Sequence, residues 1–209
     1  MSMFQRTLAF FVVLAACCVG LGAAVAGPAN DFNARLNGDY AFVQTRVCSQ
    51  GAAGAAGIDQ NLVLLSPNST RTTALRGVMS FDGRGSGTFH SDELQLNASI
   101  TTPAVPLGPP GQQTGGAEST CELTYAVDAG GRVLINLVNC TADGVSGAIS
   151  GLHFTATDIA LDGHLSTDGK TLLLSDVAAR VSTVTTVTTG GPVVSFRVCS
   201  RSGTAVRVR

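Results

Sequence analysis

Four cysteines are the residues of this sequence whose chemistry is easiest to anticipate. Cys48, Cys121, Cys140 and Cys199 lie beyond the apolar N-terminal region, and an even number is typical of exported proteins stabilised by disulfides. No two of them form a Cys-x-x-Cys motif, and no histidine stands at zinc-finger spacing from them, which argues against a zinc or redox site. We therefore predict two disulfides.

One hairpin decides how the cysteines pair. Residues 121–129 and 132–140 flank Gly130-Gly131, which suits a two-residue type I′ turn. Residues opposed across such a hairpin lie about 4.5–5.5 Å apart, within disulfide range. The turn predicts that Cys121 lies opposite Cys140 and Val127 opposite Leu134. Cys48 and Cys199 are then paired by elimination.

The histidines and carboxylates do not form a catalytic pattern. His90 stands beside Ser91-Asp92, but adjacent strand residues point to opposite faces, so these side chains cannot form a triad. His153 and His164 have no partner at metal-ligand spacing. Most aspartates precede or lie near glycine and are typical turn formers: Asp82, Asp128, Asp143, Asp162 and Asp168. We predict no catalytic residue, no metal ligand and no cofactor.

Basic residues are spread along the chain and give no case for nucleic acid as a partner. The formal net charge is −1. Five arginines and no acid follow Val177: Arg180, Arg197, Arg201, Arg207 and Arg209. Spaced arginines are typical of outward strand positions, where they discourage edge pairing, and we predict that placement for them.

The N-terminal region has the pattern of an export signal. Arg6 precedes an apolar run from Leu8 to Val19, and Ala24-Val25-Ala26 is a small-x-small cleavage site. We predict a signal peptide over residues 1–26 and one domain over 27–209, in the periplasm or outside the cell. Leu14-Ala15-Ala16-Cys17 resembles a lipobox, so the alternative is an outer-membrane lipoprotein, which contacts the membrane only if Cys17 is lipidated.

Period-two patterns predict an all-β fold. In the segment Leu36–Cys48, Tyr40, Phe42 and Cys48 share one face. Glycine-rich turns separate further strands, and residues 101–120, rich in Pro and Gly, are predicted to form a long loop. The pattern favours an antiparallel up-and-down barrel of about 8–10 strands, closed between the strands of Cys48 and Cys199, with a β-sandwich as the alternative.

Three segments resemble a layout found in uncharacterised exported bacterial proteins. These are LNGDYAF at 36–42, with a Gly-x-Tyr-x-Phe pattern, GVMSFDGRGSG at 77–87, with a Phe-Asp-Gly-x-Gly hairpin, and CELTYAVDAGG at 121–131. The resemblance implies a small β-barrel and no known activity. The chain is also faintly similar to lipocalins and other calycins, in which case Gly38-Asp39-Tyr40 replaces their Gly-x-Trp, and Arg197 covers the ring.

Three kinds of function fit such a barrel. We expect a non-enzymatic exported protein that binds a small apolar ligand or a surface partner. The alternatives are a barrel isomerase or cyclase-like enzyme using Tyr125 or His153, and a structural or adhesive surface protein. The barrel interior separates them, because a filled interior excludes the first two, whereas a hollow apolar interior with one or two polar groups favours them. The sequence predicts no oligomeric state.

Overall fold

The computed structural model describes residues 31–52, 69–99, 112–176 and 178–209. The signal peptide, Cys17 and the apolar run at 60–66 lie outside the described residues. A 3-10 helix, Asp31–Arg35, precedes ten strands: β1 (Asn37–Ala52), β2 (Ser69–Asp82), β3 (Ser86–Ser99), β4 (Gln112–Val127), β5 (Arg132–Gly147), β6 (His153–Thr157), β7 (Ile159–Leu165), β8 (Thr171–Ser175), β9 (Val181–Thr188) and β10 (Gly191–Arg207).

The strands form one antiparallel sheet whose first and last members pair. β1 to β5 follow each other in order, β5 pairs with both β6 and β7, and β10 pairs with both β9 and β8. β6 pairs with β9, β7 pairs with β8, and β10 returns to β1. Each level of the described ring therefore crosses eight strands. The predicted up-and-down barrel is confirmed.

Two of the eight strand positions of the ring, which we call staves, are each made of two shorter strands. β6 and β7 are separated by Asp158 alone, whose φ of 61° is a left-handed conformation that aspartate tolerates better than most residues. β8 and β9 are likewise two parts of the next stave, since they pair with β7 and β6 respectively. Because two staves contain two strands each, the ten strands give a cross-section of eight.

One half of the interior, which we call the apolar half, is filled. Tyr40 and Tyr125 contact Phe81 edge-on, with ring centroids 5.5 and 5.0 Å away, and Phe42 stacks on Phe89 at 5.1 Å. Fully buried aliphatic residues complete it: Leu36, Met79, Val127, Val133, Ile135 and Leu172. Tyr40 and Phe42 therefore cover a packed core, not a ligand space.

The 3-10 helix closes the apolar half. The backbone N–H of Val127 donates to the side-chain oxygen of Asn33 at 2.8 Å, and Leu36 is fully buried. The hydroxyl of Tyr125 donates to the carbonyl of Leu36 at 2.8 Å. Without these bonds, the polar groups would be buried among apolar residues without a hydrogen-bond partner. The bonds therefore hold the 3-10 helix in place as a plug at this end of the barrel.

Replacing Tyr125 by phenylalanine is expected to destabilise the plug. Burial raises the pKa of the Tyr125 hydroxyl to about 12, so it is a protonated donor at neutral pH. Tyr125→Phe keeps the ring but leaves the buried Leu36 carbonyl without this partner, which costs about 1–3 kcal/mol. Urea unfolding monitored by circular dichroism measures the loss. A cost below about 0.5 kcal/mol would contradict the role assigned to the hydroxyl.

The β4–β5 hairpin differs from its predicted register by one residue. Val127 lies opposite Val133, not Leu134. Asp128 accepts hydrogen bonds from the backbone N–H of Gly131 and of Arg132, at 3.0 and 2.9 Å, and Gly131 has a φ of 84°. These features define a three-residue turn with a left-handed glycine in place of the two-residue turn.

A bulge restores the cysteine pair despite that shift. The register of β4 and β5 changes between Thr120 and Glu122, and Asn139 has a φ of 51°. Cys121 and Cys140 form a disulfide with Cα atoms 4.2 Å apart. The predicted pairing is confirmed, although the uninterrupted two-residue hairpin that predicted it is wrong.

The second disulfide joins the two strands that close the barrel. Cys48 of β1 lies directly opposite Cys199 of β10, with Cα atoms 4.0 Å apart, and the two residues are 151 positions apart in sequence. The predicted loop at 101–120 is wrong for residues 112–120, because β4 begins at Gln112, and its first part lies outside the described residues. Residues 112–120 join the sheet because they pair with β3.

Candidate functional site

The other half of the interior, which we call the polar half, is lined by arginines. Arg46, Arg71, Arg197 and Arg201 all line one interior cavity. Period two explains their direction, because Arg46 is two residues from the inward Cys48, and Arg197 and Arg201 flank the inward Cys199 in the same way. Arg71, on β2, lies opposite Cys48 of β1.

Glu93 is the carboxylate at the centre of this half. It accepts a hydrogen bond and ion pair from Arg46 at 2.8 Å, and further hydrogen bonds from Ser119 at 2.8 Å and Gln95 at 3.0 Å. Burial alone would raise its pKa, but the Arg46 charge and these two donors lower the pKa of the Glu93 carboxyl. Glu93 is therefore an ionised interior group at neutral pH.

The other three arginines have different partners. The Nε of Arg71 donates to the side-chain oxygen of Asn97 at 2.6 Å, and the Nε of Arg197 donates to that of Gln50 at 2.8 Å. Both partners are neutral. Arg201 pairs with Asp176 at 3.1 Å, and both side chains are less than a tenth exposed. Two of the four cations thus have a carboxylate partner and two have an amide.

Positive charge accumulates in the polar half as a result. Burial and, after it, the charge of Arg46 together lower the pKa of Arg71 to about 10. Burial, followed by the charge of Arg71, lowers the pKa of Arg197 well below its ordinary value, and burial and Arg46 lower that of Arg201. Among the described residues, two carboxylates, Glu93 and Asp176, pair with the four guanidinium groups, which leaves an excess of two positive charges.

Several buried polar atoms of this half have no hydrogen-bond partner within the described residues. They are Nε of Arg46, Oγ1 of Thr73, Oγ of Ser91 and Oε1 of Gln95. A buried donor or acceptor left without a partner costs about 1–3 kcal/mol. Arg46 and Gln95 line the cavity, so a polar molecule in it has groups to bind.

The cavity itself is small and has a mixed lining. Its volume is about 70 Å³. Its lining combines polar groups, including the four arginines, Glu93 and Ser119, with apolar groups, including Phe89, Leu137, Phe154 and Leu161. A dry cavity of about 150 Å³ holds benzene, and one water needs about 10–15 Å³. The space suits a few waters or a ligand of a few heavy atoms.

The residues weighed for catalysis lie elsewhere. Tyr125 belongs to the apolar half, and His153 pairs with Asp143 at 2.7 Å on the exposed surface. His90 and His164 are exposed. Neither Tyr125 nor His153 is among the described residues that line the cavity. The structure does not bring these side chains together.

Two expectations about arginines are wrong. Arg197 and Arg201 point into the barrel rather than outward, because they share the face of Cys199. Arg197 also does not cover Tyr40, since it lies opposite Gln50, whereas Tyr40 lies opposite Arg207. The same two-residue spacing from a cysteine marks Arg46. An even spacing from a cysteine whose disulfide lies inside the barrel is therefore the sequence signal that identifies three of these arginines as inward.

Comparison with known proteins adds no family to this geometry. No protein-family model matches the chain, and no curated protein matches its sequence. Within the described ranges, no group of three or more His, Cys, Asp or Glu side chains is arranged to hold a metal ion. The described part of the chain also has no helix of the length and apolarity needed to cross a membrane.

Proposed function

We propose that the protein is an exported, non-enzymatic binding protein whose polar half takes up a small anion. The observation that carries this proposal is the arrangement of four arginines, three buried and Arg46 largely buried, around a cavity where two carboxylates of the described residues oppose them. Two disulfides in an all-β fold indicate an oxidising, non-cytosolic compartment, which agrees with an exported protein.

Charge is the reason to expect an anion. Burying an unopposed charge is costly, and arginine forms its strongest hydrogen bonds with carboxylate, phosphate and similar oxyanions. Arg71 and Arg197 use Nε to bind neutral amides, and their charges remain unopposed by any described carboxylate partner. A bound oxyanion supplies the missing negative charge.

The volume of the cavity and its apolar lining residues limit which ligands fit. A cavity of about 70 Å³ is far below the roughly 300–1,000 Å³ of pockets for drug-sized molecules. An inorganic oxyanion or a carboxylate with only a few carbons fits it. The apolar lining residues, among them Phe89 and Leu137, accommodate the small apolar ligand part expected from the sequence, and the arginines bind the charged part.

Thermal unfolding of the full chain with a panel of sodium salts tests the proposal. Formate, acetate, sulfate and phosphate are compared in a low-chloride buffer, and titration calorimetry measures affinity for the best of them. At 100 times Kd, a bound anion stabilises the fold by about 2.7 kcal/mol, which raises Tm by about 5–10 °C.

Arg197→Gln is the matched variant. Glutamine keeps a donor near Gln50 but removes one unopposed charge, so affinity for the anion should fall at least about tenfold, or about 1.4 kcal/mol. Without anion, this variant should be as stable as the original chain or more so, because a like charge has been removed. Arg84→Gln, at an exposed turn position, is the control and should change neither quantity.

Two outcomes would count against the anion site. One is the absence of a Tm rise and of binding heat with every salt of the panel. The other is an equal loss of affinity in the Arg84→Gln and Arg197→Gln chains, which would indicate binding to the general surface charge.

A further inference from the structure

The outer surface of five adjacent strands carries several exposed apolar side chains. Val43 is 63% exposed, Leu94 59% and Leu173 55%. We call the patch formed by the outward residues of β8, β10, β1, β2 and β3 the outer apolar face. Its large exposed members include Leu173, Val206, Val43, Val47, Val78, Leu94 and Leu96.

Sheet register makes these residues neighbours. Leu173 lies opposite Thr204, which lies opposite Val43. On the other side of β1, Thr45 lies opposite Ala74, which lies opposite Leu94. Neighbouring strands are about 4.8 Å apart, so the patch is continuous across all five strands.

A depression of about 940 Å³ lies at the centre of the face. Val43, Leu94 and Leu173 line it, together with the Arg76–Asp92 pair. Its small lining residues are Thr45, Ala74, Ser202, Gly203 and Thr204. A depression lined by both apolar side chains and small residues can receive the apolar side chains of a second copy of the same surface.

The charges of the face point to the same partner. Arg76 and Asp92 lie opposite each other and form an exposed ion pair of 3.2 Å. One cation beside one anion gives the face no net charge, which does not favour a strongly charged partner. Under two-fold symmetry, residue i contacts residue j and j contacts i, so Arg76 can approach the partner's Asp92 and Asp92 the partner's Arg76.

We propose that the outer apolar face is the contact surface of a two-fold symmetric dimer of this chain. Five strands about 4.8 Å apart and eight residues of about 3.4 Å each span roughly 600 Å², near the 800 Å² that each partner contributes to a standard interface. A contiguous apolar patch of several hundred Å² is also typical of an interaction site. The face carries no tryptophan, tyrosine or lysine, and its Arg76 is paired with Asp92, whereas a surface that lies on lipid headgroups is typically rich in aromatic and basic residues.

Light scattering coupled to size exclusion tests the dimer over about 1–200 µM of the full chain, a range that covers dissociation constants typical of weak to moderate interfaces. Leu94→Glu places a charge in the lining of the depression and should raise the dimer dissociation constant at least about tenfold. Val138→Glu is the matched control, because Val138 is also outward and 39% exposed but lies on β5, away from the face. It should leave the dissociation constant unchanged.

Unfolding curves of both variants verify that each still folds, and Val43→Glu replaces Leu94→Glu if the latter does not. A chain that stays monomeric at every concentration overturns the proposal. So does a dimer that survives both Leu94→Glu and Val43→Glu. Binding to neutral phosphatidylcholine vesicles that Leu94→Glu abolishes, with no dimer in solution, would assign the face to a lipid surface instead.

Discussion

Replacing Cys48 and Cys199 together by alanine is expected to lower the free energy of unfolding by about 5 kcal/mol, whereas the same change at Cys121 and Cys140 should cost about 3 kcal/mol. The difference follows from loop length, since the first bond spans 151 residues and the second 19. A longer closed loop removes more conformational freedom from the unfolded chain. Domains of this kind are stable by about 5–15 kcal/mol, so the first variant is near the limit of folding.

Urea unfolding of the two double-alanine variants measures the contrast. Each variant lacks one disulfide and keeps the other, so each variant serves as the control for the other. The slope of free energy against urea should rise for the Cys48/Cys199 variant, because its unfolded chain is more expanded. Equal costs for the two variants would contradict the conclusion that the bond closing the ring dominates the covalent contribution.

Replacing Glu93 by glutamine is expected to be the most damaging single change in the polar half. Removing one member of a buried ion pair costs about 3–5 kcal/mol, because the opposite charge stays buried. Here the loss raises the excess from two positive charges to three. Small oxyanions should therefore stabilise the Glu93→Gln chain more than the original chain, a result that a purely structural role for Glu93 does not give.

The cost of Glu93→Gln should depend on pH. The folded-state pKa of Glu93 is lowered below the unfolded value of about 4.3, so its contribution is complete above that value and is lost as pH falls through the folded-state pKa. The stability gap between the two chains should thus narrow on acidification. Urea midpoints at pH 7, 5 and 3.5 measure it.

Asp176→Asn is the matched control for that series. Asp176 also accepts from a buried arginine, at 3.1 Å, but burial raises the pKa of its carboxyl in spite of the Arg201 charge. Its ionised form therefore adds less stability at neutral pH, and asparagine should cost less than Glu93→Gln. A larger cost for Asp176→Asn, or a Glu93→Gln gap that does not change with pH, would contradict this account.

The barrel could be predicted because its signals are local. Tyr40 and Phe42 alternate with outward residues, and glycine turns mark the ends of the strands, so strand identity and order follow from the residues themselves. The turn at Asp128 was harder. Both Gly130 and Gly131 suit a two-residue turn, and only the hydrogen bonds of Asp128 favour the three-residue form. The break at Asp158 has no comparable signal in the sequence.

The candidate site was missed for a different reason. Arg46 and Arg71, on β1 and β2, are far in sequence from Arg197 and Arg201 on β10, and each taken alone fits an outward position. A buried arginine is rare unless it is paired, so the ordinary expectation is exposure. Their convergence depends on which strands are neighbours across β1, β2 and β10, and that follows only from closure of the ring.

The pairing of β1 with β10 has a consequence for how the chain folds. The 13 residue pairs between these strands join the beginning of the described barrel to its end, so almost the whole chain must be present before they form. Contacts between distant residues form slowly compared with hairpins. Cys121–Cys140 can be oxidised as soon as one hairpin exists, whereas Cys48–Cys199 waits for the last step. During oxidative refolding, the time at which Cys48–Cys199 forms after Cys121–Cys140 thus reports when the ring closes.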